Sequence, residues 1–416
     1  MMENHGYYQV IDNPNELYLN NLIANKKVNL ATNYFAVGHP SLTNYLEIVG
    51  GSNFGIRSDN APNWGSTTCS PNIESGFVNA DNAGGNAPAN IKLETSTICP
   101  IAGWGKDAET PAVDNWNEVG TITAPNGSTI IVVPYLADID GVKHVAAANT
   151  VGKSIADQLV GAGKSWKTYQ ESIPLGSLFK VNYSNGTATN LTDFSTLKPL
   201  TSSDVVQLYA VKHNPFAYFK SVQDGWQENN SLNNVVGFDG AGGLYADLVA
   251  GDLPNFAFIV PNQCDDQHGR GNADKFCGFD FGDANGYTHG DQSQLNPGLI
   301  QQGDVTIERL VDAIHASPVW KDSRSAIVIV WDENDYSGIT TKPNGLFPRD
   351  NQNKVVLTVE TNLDPDDLGV HSGNYYDSYS LLKSLESAFG LACLNHACDS
   401  GVGVMSDLFG HGPDKN

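Results

Sequence analysis

The chain has 416 residues, 23 of them basic and 46 acidic, for a formal net charge of −23 at pH 7. That surplus repels nucleic acid and anionic lipid, no basic patch offsets it, and no apolar run reaches the roughly 18 to 20 residues that cross a bilayer. Apolar and aromatic content are ordinary for a globular protein, and the length suits one α/β domain with insertions. In chain order, residues 28–35 give the first β-rich run. Pro40 has no N–H to lose and a preset φ, so it suits a first helical position, and Leu42, Tyr45, Leu46 and Val49 recur at helical spacing until Gly50 and Gly51 stop the run. Ser41 then sits at a helix N-terminus, where free backbone N–H groups and the helix dipole favour a phosphoryl dianion that the hydroxyl is placed to attack. A plain helix cap is the commoner reading of these residues alone.

Residues 52–148 break the rhythm. Rich in Asn, Gly, Pro and Ser, and carrying Cys69 and Cys99, they read as an insertion over the sheet that shapes the pocket mouth, with a second β-rich run at 129–135. Ile155, Leu159 and Val160 line a helix that Gly161 to Gly163 ends. A third run, 255–260, empties into Pro261-Asn262-Gln263-Cys264-Asp265-Asp266-Gln267-His268, and residues 269–301 are again loop-rich. Ile307, Leu310, Val311 and Ile314 line a helix that Asp304 could cap. The run 326–331 leads into Asp332-Glu333-Asn334-Asp335, and a helix over 378–389 stops at Gly390. The apolar runs are too continuous for a half-exposed sheet and read as buried parallel strands. Alternating with helices, they predict a three-layer α/β sandwich with a mainly parallel central sheet, helices on both faces and ligands at the carboxyl ends of the strands.

Carboxylates massed after a buried strand face solvent, pair with bases or hold a divalent cation through oxygen. His268 gains weight from its place after a strand, whereas His213, in Lys212-His213-Asn214-Pro215-Phe216, is a weak signal alone. Two motifs mislead. Gly161-Ala162-Gly163-Lys164-Ser165 imitates a phosphate loop but follows a helix, and Asp283-Ala284-Asn285-Gly286 lacks the first and last acidic residues of a calcium loop. The six cysteines form an even set without a Cys-x-x-Cys pair. These allow about 15 pairings, and the sequence does not choose among them. Cys393 with Cys398 and Cys264 with Cys277 close the easiest loops and would leave Cys69 with Cys99, and the even set predicts disulfides and a secreted or periplasmic protein. Met1-Met2-Glu3 carries no signal-peptide pattern, so any such peptide is absent from this numbering.

Five motifs stand in one order: Glu-Asn-His at 3–5, His-Pro-Ser-x-x-Asn-Tyr at 39–45, Lys-His-Asn-Pro-Phe at 212–216, Pro-Asn-x-Cys-x-Asp-x-His at 261–268 and Trp-Asp-Glu at 331–333. Together they resemble the phosphoesterase family that joins bacterial acid phosphatases to phospholipases C. The resemblance covers residues 3–50, about 150–270 and about 303–391 of a single domain spanning 1–416, leaving 52–148 and 269–301 as insertions. It implies an alkaline-phosphatase-like fold and a metal-assisted phosphoseryl mechanism. Ser41 would be the nucleophile and Asn44 a ligand of a phosphate oxygen. Glu3, Asn4, Asp332 and Glu333 would hold one divalent ion (Zn, Ca, Mg or Mn), with His213 and His268 beside the phosphoryl group. His39 stays outside that shell.

A coordinated cation would stabilise the serine alkoxide and polarise a phosphoryl oxygen. Neighbouring side chains on a regular strand point to opposite faces, so Asp332 and Glu333 can share an ion only if the strand ends at Trp331. The chain departs from the family in two places. No apolar strand precedes Glu3-Asn4-His5, which predicts weak anchoring of Glu3 and Asn4, and Ser378 stands where the family's closing helix has histidine. The expectation is a secreted acid phosphatase acting on small phosphate monoesters. The alternatives are a phospholipase C-type phosphodiesterase and a decayed phosphate-binding or adhesive relative.

Overall fold

Two sheets frame the molecule, one of four strands and one of three. The structure is a computed structural model and describes residues 1–38, 40–56, 59–62, 98–105, 107, 122–123, 129–130, 147, 149–174, 188–189, 205–206, 208–269, 277–278, 295–334, 353–363 and 367–410. The strands are Asn29–Ala31 (β1), Trp166–Gln170 (β2), Val235–Val236 (β3), Phe256–Val260 (β4), Ala326–Val330 (β5), Leu357–Thr361 (β6) and His371–Ser372 (β7). The three-stranded sheet, β3-β2-β4, is wholly parallel, with Trp166 opposite Phe256 and Gln170 opposite Val260. The four-stranded sheet runs β5-β6-β1-β7, antiparallel at its first two joints and parallel at the third.

Residues 1–3 stitch the sheets together. The Met1 ammonium donates to Ile259 O at 2.9 Å, Met2 N to Val330 O at 2.8 Å and Glu3 N to Asp266 O at 2.8 Å, while Asp332 N donates to Met2 O at 3.0 Å. Glu3 is therefore firmly held, contrary to the expectation of weak anchoring, because these backbone bonds tie it to both strand ends that carry site residues.

The helices that matter are Leu17–Ala24 (α1), Ser41–Gly50 (α2), Ile155–Gly161 (α3), Leu244–Ala250 (α4), Pro297–Ala316 (α5) and Ser378–Phe389 (α6). Side chains alternate along β4 as a pleated strand requires. Phe256, Phe258 and Val260 join Tyr45 and Trp166 in one cluster, and Ala257 and Ile259 join Leu244, Leu248 and Leu310 in another. Accordingly α2, α3 and α6 pack together on one face, and α5 lies against α1 and α4 on the other. Each fully buried Phe or Leu on these faces contributes about 2 kcal/mol.

Several expectations are corrected. β5 was expected to be parallel, but it pairs antiparallel with β6 along its whole length, Ala326 opposite Thr361 and Val330 opposite Leu357. Only Ile329 and Val330 of β5 are buried, so the apolar run overstated burial, and its direction comes from a partner that the sequence reading did not mark as a strand. The run 28–35 breaks at Thr32-Asn33 into β1 and Tyr34–Phe35. Thr129–Ile130 pairs antiparallel with Ile122–Thr123, and residues 131–135 lie outside the described residues. Asp304 caps α1 instead of its own helix: its carboxylate accepts Tyr18 N at 2.7 Å and Leu19 N at 3.0 Å, while Asn296 caps α5. Cys264–Cys277 and Cys393–Cys398 are disulfides, with Cα atoms 5.0 and 5.2 Å apart. Cys99 is also disulfide-bonded, whereas Cys69, the calcium-like loop at 283–286 and most of 52–148 and 269–301 lie outside the described residues.

Candidate active site

Pro40 is the N-cap of α2, extended at φ −77° and ψ −177°, so Ser41 takes the first helical position that the sequence reading gave to Pro40. The helix ends at Gly51, whose φ of 71° is left-handed and where a Cβ would meet Leu394 O at 2.5 Å. All of α2 is buried. Its first turn faces the carboxyl ends of β4 and β5.

Ser41 Oγ lies 3.0 Å from Glu333 Oε1, 3.3 Å from Glu3 Oε2 and 3.3 Å from Lys212 Nζ. Asn44, one turn on, spends its whole amide here. Its Oδ1 accepts from Val37 N and Gly38 N, and its Nδ2 donates to Gly38 O at 2.8 Å and to Glu333 Oε2 at 3.1 Å. Tyr45 donates its hydroxyl to Glu3 Oε1 and stacks its ring on His213 at 5.4 Å between centroids and 6° between planes. His213 places Nε2 3.3 Å from Glu3 Oε1 and Nδ1 3.3 Å from Asp266 Oδ2.

β5 ends at Val330, one residue before the end expected at Trp331, and Trp331 bridges in parallel to Met2. Asn4, at φ 54°, turns its backbone N–H onto Asp332 Oδ1 at 3.2 Å. Across the site Gln267, at φ 76°, is fixed on three sides. It donates to Glu16 Oε2 at 2.6 Å and to Ile300 O at 3.1 Å, and accepts from Trp331 Nε1 at 3.0 Å. Two non-glycine residues in the left-handed region thus flank the acidic cluster, where backbone strain is commonly held for function.

His268 accepts at Nε2 from Lys212 Nζ at 3.1 Å, because an ammonium offers only donors. Its proton is therefore on Nδ1, which donates to Gly269 O at 2.9 Å. Burial would pull the Lys212 ammonium down, but Asp59, Glu3 and Glu333 outweigh it and hold it above the usual lysine value. Burial, then Lys212 and His268, push His213 well below the usual histidine value, so it is neutral. Burial raises Glu3, Asp266 and Glu333 far above ordinary carboxylates and lifts Asp332 to about 8.

The phosphoesterase family profile matches residues 6–277. The chain belongs to the phosphoesterase family. Curated relatives include a probable acid phosphatase of Kluyveromyces lactis, 25% identical over 67% of this chain and 51% of its own. An acid phosphatase of Aspergillus fumigatus is 23% identical over 58% of this chain and 30% of its own. The chain thus spans about half or less of the length of those relatives. A protein of the alkaline phosphatase superfamily from Vibrio parahaemolyticus aligns over 96% of this chain and 68% of that one, at 12% identity and a TM-score of 0.40.

The structure gathers Glu3, Asn4, Ser41, Asn44, His213, His268, Asp332 and Glu333 in one cluster; His39 lies outside the described residues. Ser378 is the buried first residue of α6. Sequence reading passed over four members. Tyr45 looked like part of an apolar stripe. Lys212 and Asp266 stand inside quoted motifs, next to or two residues from a chosen histidine, and that adjacency was the available signal. Asp59, in the Asn-rich segment, gave none.

The donor set gathered here suits a hard or borderline cation. Ligand atoms of Glu3, His213 and His268 lie within 4.8 Å of one another. Among the described residues, Asn4 Oδ1, Asp332 Oδ2, Asp266 Oδ2 and His213 Nε2 are buried without a hydrogen bond, the last two in ion-pair range of a neighbour only, a cost that a bound cation removes.

Proposed function

We propose that the protein is a secreted, metal-dependent phosphatase that hydrolyses small phosphate monoesters through a phosphoserine at Ser41. The observation that carries this reading is the position of Ser41 Oγ, at the first turn of a buried helix between Glu333, Glu3 and Lys212. In it, Ser41 Oγ forms a bond to phosphorus as the ester P–O bond breaks, and the Ser41 proton passes to Glu333, its nearer carboxylate. Water then attacks phosphorus, the Oγ–P bond breaks as Glu333 returns its proton to Ser41 Oγ, and inorganic phosphate leaves. His268, partly exposed, takes up a proton on Nε2 once substrate draws Lys212 away and gives it to the departing alkoxide. Asn44 Nδ2 exchanges Glu333 for a phosphoryl oxygen.

Glu3, Asn4, Asp332 and Glu333 would hold one divalent ion, with His213 beside it. When bound, such an ion supplies charge to stabilise the alkoxide and the phosphoryl oxygens. We read 1–416 as one phosphoesterase domain in which 52–148 and 269–301 are insertions. The disulfides support a compartment outside the cytosol.

The test is hydrolysis of p-nitrophenyl phosphate and p-nitrophenylphosphorylcholine by wild type and Ser41→Ala, before and after EDTA. The expected result is turnover of the monoester that falls by at least about 1,000-fold in Ser41→Ala and is lost on chelation. Activity surviving both treatments would overturn the mechanism, and preference for the choline diester would move the protein to the phospholipase C side.

A further inference from the structure

The N-terminus of α2 already holds an anion. Asp59 Oδ1 accepts Leu42 N–H at 3.1 Å, and Asp59 Oδ2 lies 3.0 Å from Lys212 Nζ. Lys212 also reaches Ser41 Oγ and His268 Nε2, so its three N–H donors meet three acceptors and none is left over. A helix N–H and an ammonium beside a hydroxyl nucleophile are donors suited to a tetrahedral oxyanion. The Asp59 carboxylate presents two anionic oxygens to those donors, much as two oxygens of a phosphoryl group would.

The setting permits exchange. The Asp59 backbone is held next door, where Asn60 O accepts Tyr218 OH at 3.0 Å and Ala61 O accepts Ile98 N at 2.9 Å. The side chain itself is 27% exposed and that of Lys212 16%, so the carboxylate can swing to solvent without moving the chain. On the Asp59 side of Ser41 an incoming anion meets the Lys212 ammonium and the Leu42 N–H.

We propose that Lys212 and the Leu42 N–H receive the phosphoryl group, and that Asp59 holds their place until that group displaces it. Asp59 is then a built-in competitor for phosphate, weakening substrate and product alike. The inference rests on the phosphatase reading and adds the receptor for its substrate.

The test is calorimetric titration of inorganic phosphate into the protein as purified, for wild type, Asp59→Asn, Asp59→Ala and Lys212→Met, with melting curves to show that each variant is folded. Both Asp59 variants are expected to bind phosphate roughly tenfold tighter, the worth of one charge-assisted hydrogen bond, and Lys212→Met at least about tenfold weaker. KM for p-nitrophenyl phosphate is expected to fall with the phosphate Kd in Asp59→Asn. Unchanged or weaker phosphate binding in both Asp59 variants overturns the proposal, as does wild-type affinity in Lys212→Met or the absence of phosphate binding throughout. Because the readout is binding, a Ser41→Ala variant that kept its activity would sink the nucleophile and leave this inference standing.

Discussion

A single proton decides how Ser41 is prepared. Lys212 can only donate to Oγ, so the hydroxyl hydrogen must point to a carboxylate, and Glu333 is the nearer at 3.0 Å. Tyr45 performs a related service for Glu3, donating to one of its oxygens while its ring fixes the plane of His213. Outer partners of this kind set the orientation of ligating groups. Tyr45→Phe is therefore expected to weaken zinc binding roughly tenfold with little change in melting temperature, read by zinc titration against a chromophoric chelator. At this scale the sequence was informative where a residue type was unusual for its place: a serine at a helix start, carboxylates after an apolar strand. It was silent where the type was ordinary. Tyr45 sits in the apolar stripe of α2, and Asp59 is one acidic residue among many.

Between elements, one carboxylate links two helices. Asp304 lies within α5, yet its oxygens serve the first turn of α1, more than 280 residues earlier in the chain. Asp304→Ala is expected to cost about 1 to 2 kcal/mol in urea unfolding without a change in m-value, since it strips a cap without opening a cavity. One residue before it, Gly303 makes room for Gln267, and a Cβ there would meet Gln267 Cγ at 2.3 Å. Gly303→Ala therefore pushes on the residue between Asp266 and His268. It is expected to lower kcat for p-nitrophenyl phosphate by about tenfold or more, a loss that Gly303→Ser shares, because the obstruction is the Cβ itself. Helix ends were legible because glycine marks them: α2, α3 and α6 stop where Gly51, Gly161 to Gly163 and Gly390 predict. Strands were less so. β2, reading Trp-Lys-Thr-Tyr-Gln, is polar for a central strand, and β6 went unmarked; without β6 the direction of β5 could not be read.

For the whole molecule, buried acid groups set the response to pH. Burial raises Glu3, Glu16, Glu47, Asp266 and Glu333 well above ordinary carboxylates and Asp332 to about 8. Each folded value exceeds its unfolded one, so the stability these groups contribute is complete below the ordinary carboxylate range and is lost as pH rises through the folded values. His396 has the same sign. Burial pulls its imidazole down, but bonds of 2.6 Å to both Asp107 and Asp399 outweigh that and hold it at about 9. Its contribution, up to about 3 kcal/mol, is whole below about pH 6 and gone above about pH 9. The chelated protein is therefore expected to melt at progressively lower temperature from about pH 5 to about pH 9, and added zinc to raise the melting temperature most at the upper end, where ligands are easiest to ionise. A flat profile in calorimetry would contradict this. The residues gathered around Ser41 also come from distant parts of the chain: Glu333 is 292 positions from Ser41, and Asp332 is 328 from Asn4. During synthesis Glu3 and Ser41 emerge early, and Asp332 and Glu333 late. On the phosphoserine reading, a nascent chain is chemically silent toward phosphate esters and becomes active only when the strand that ends the site leaves the ribosome.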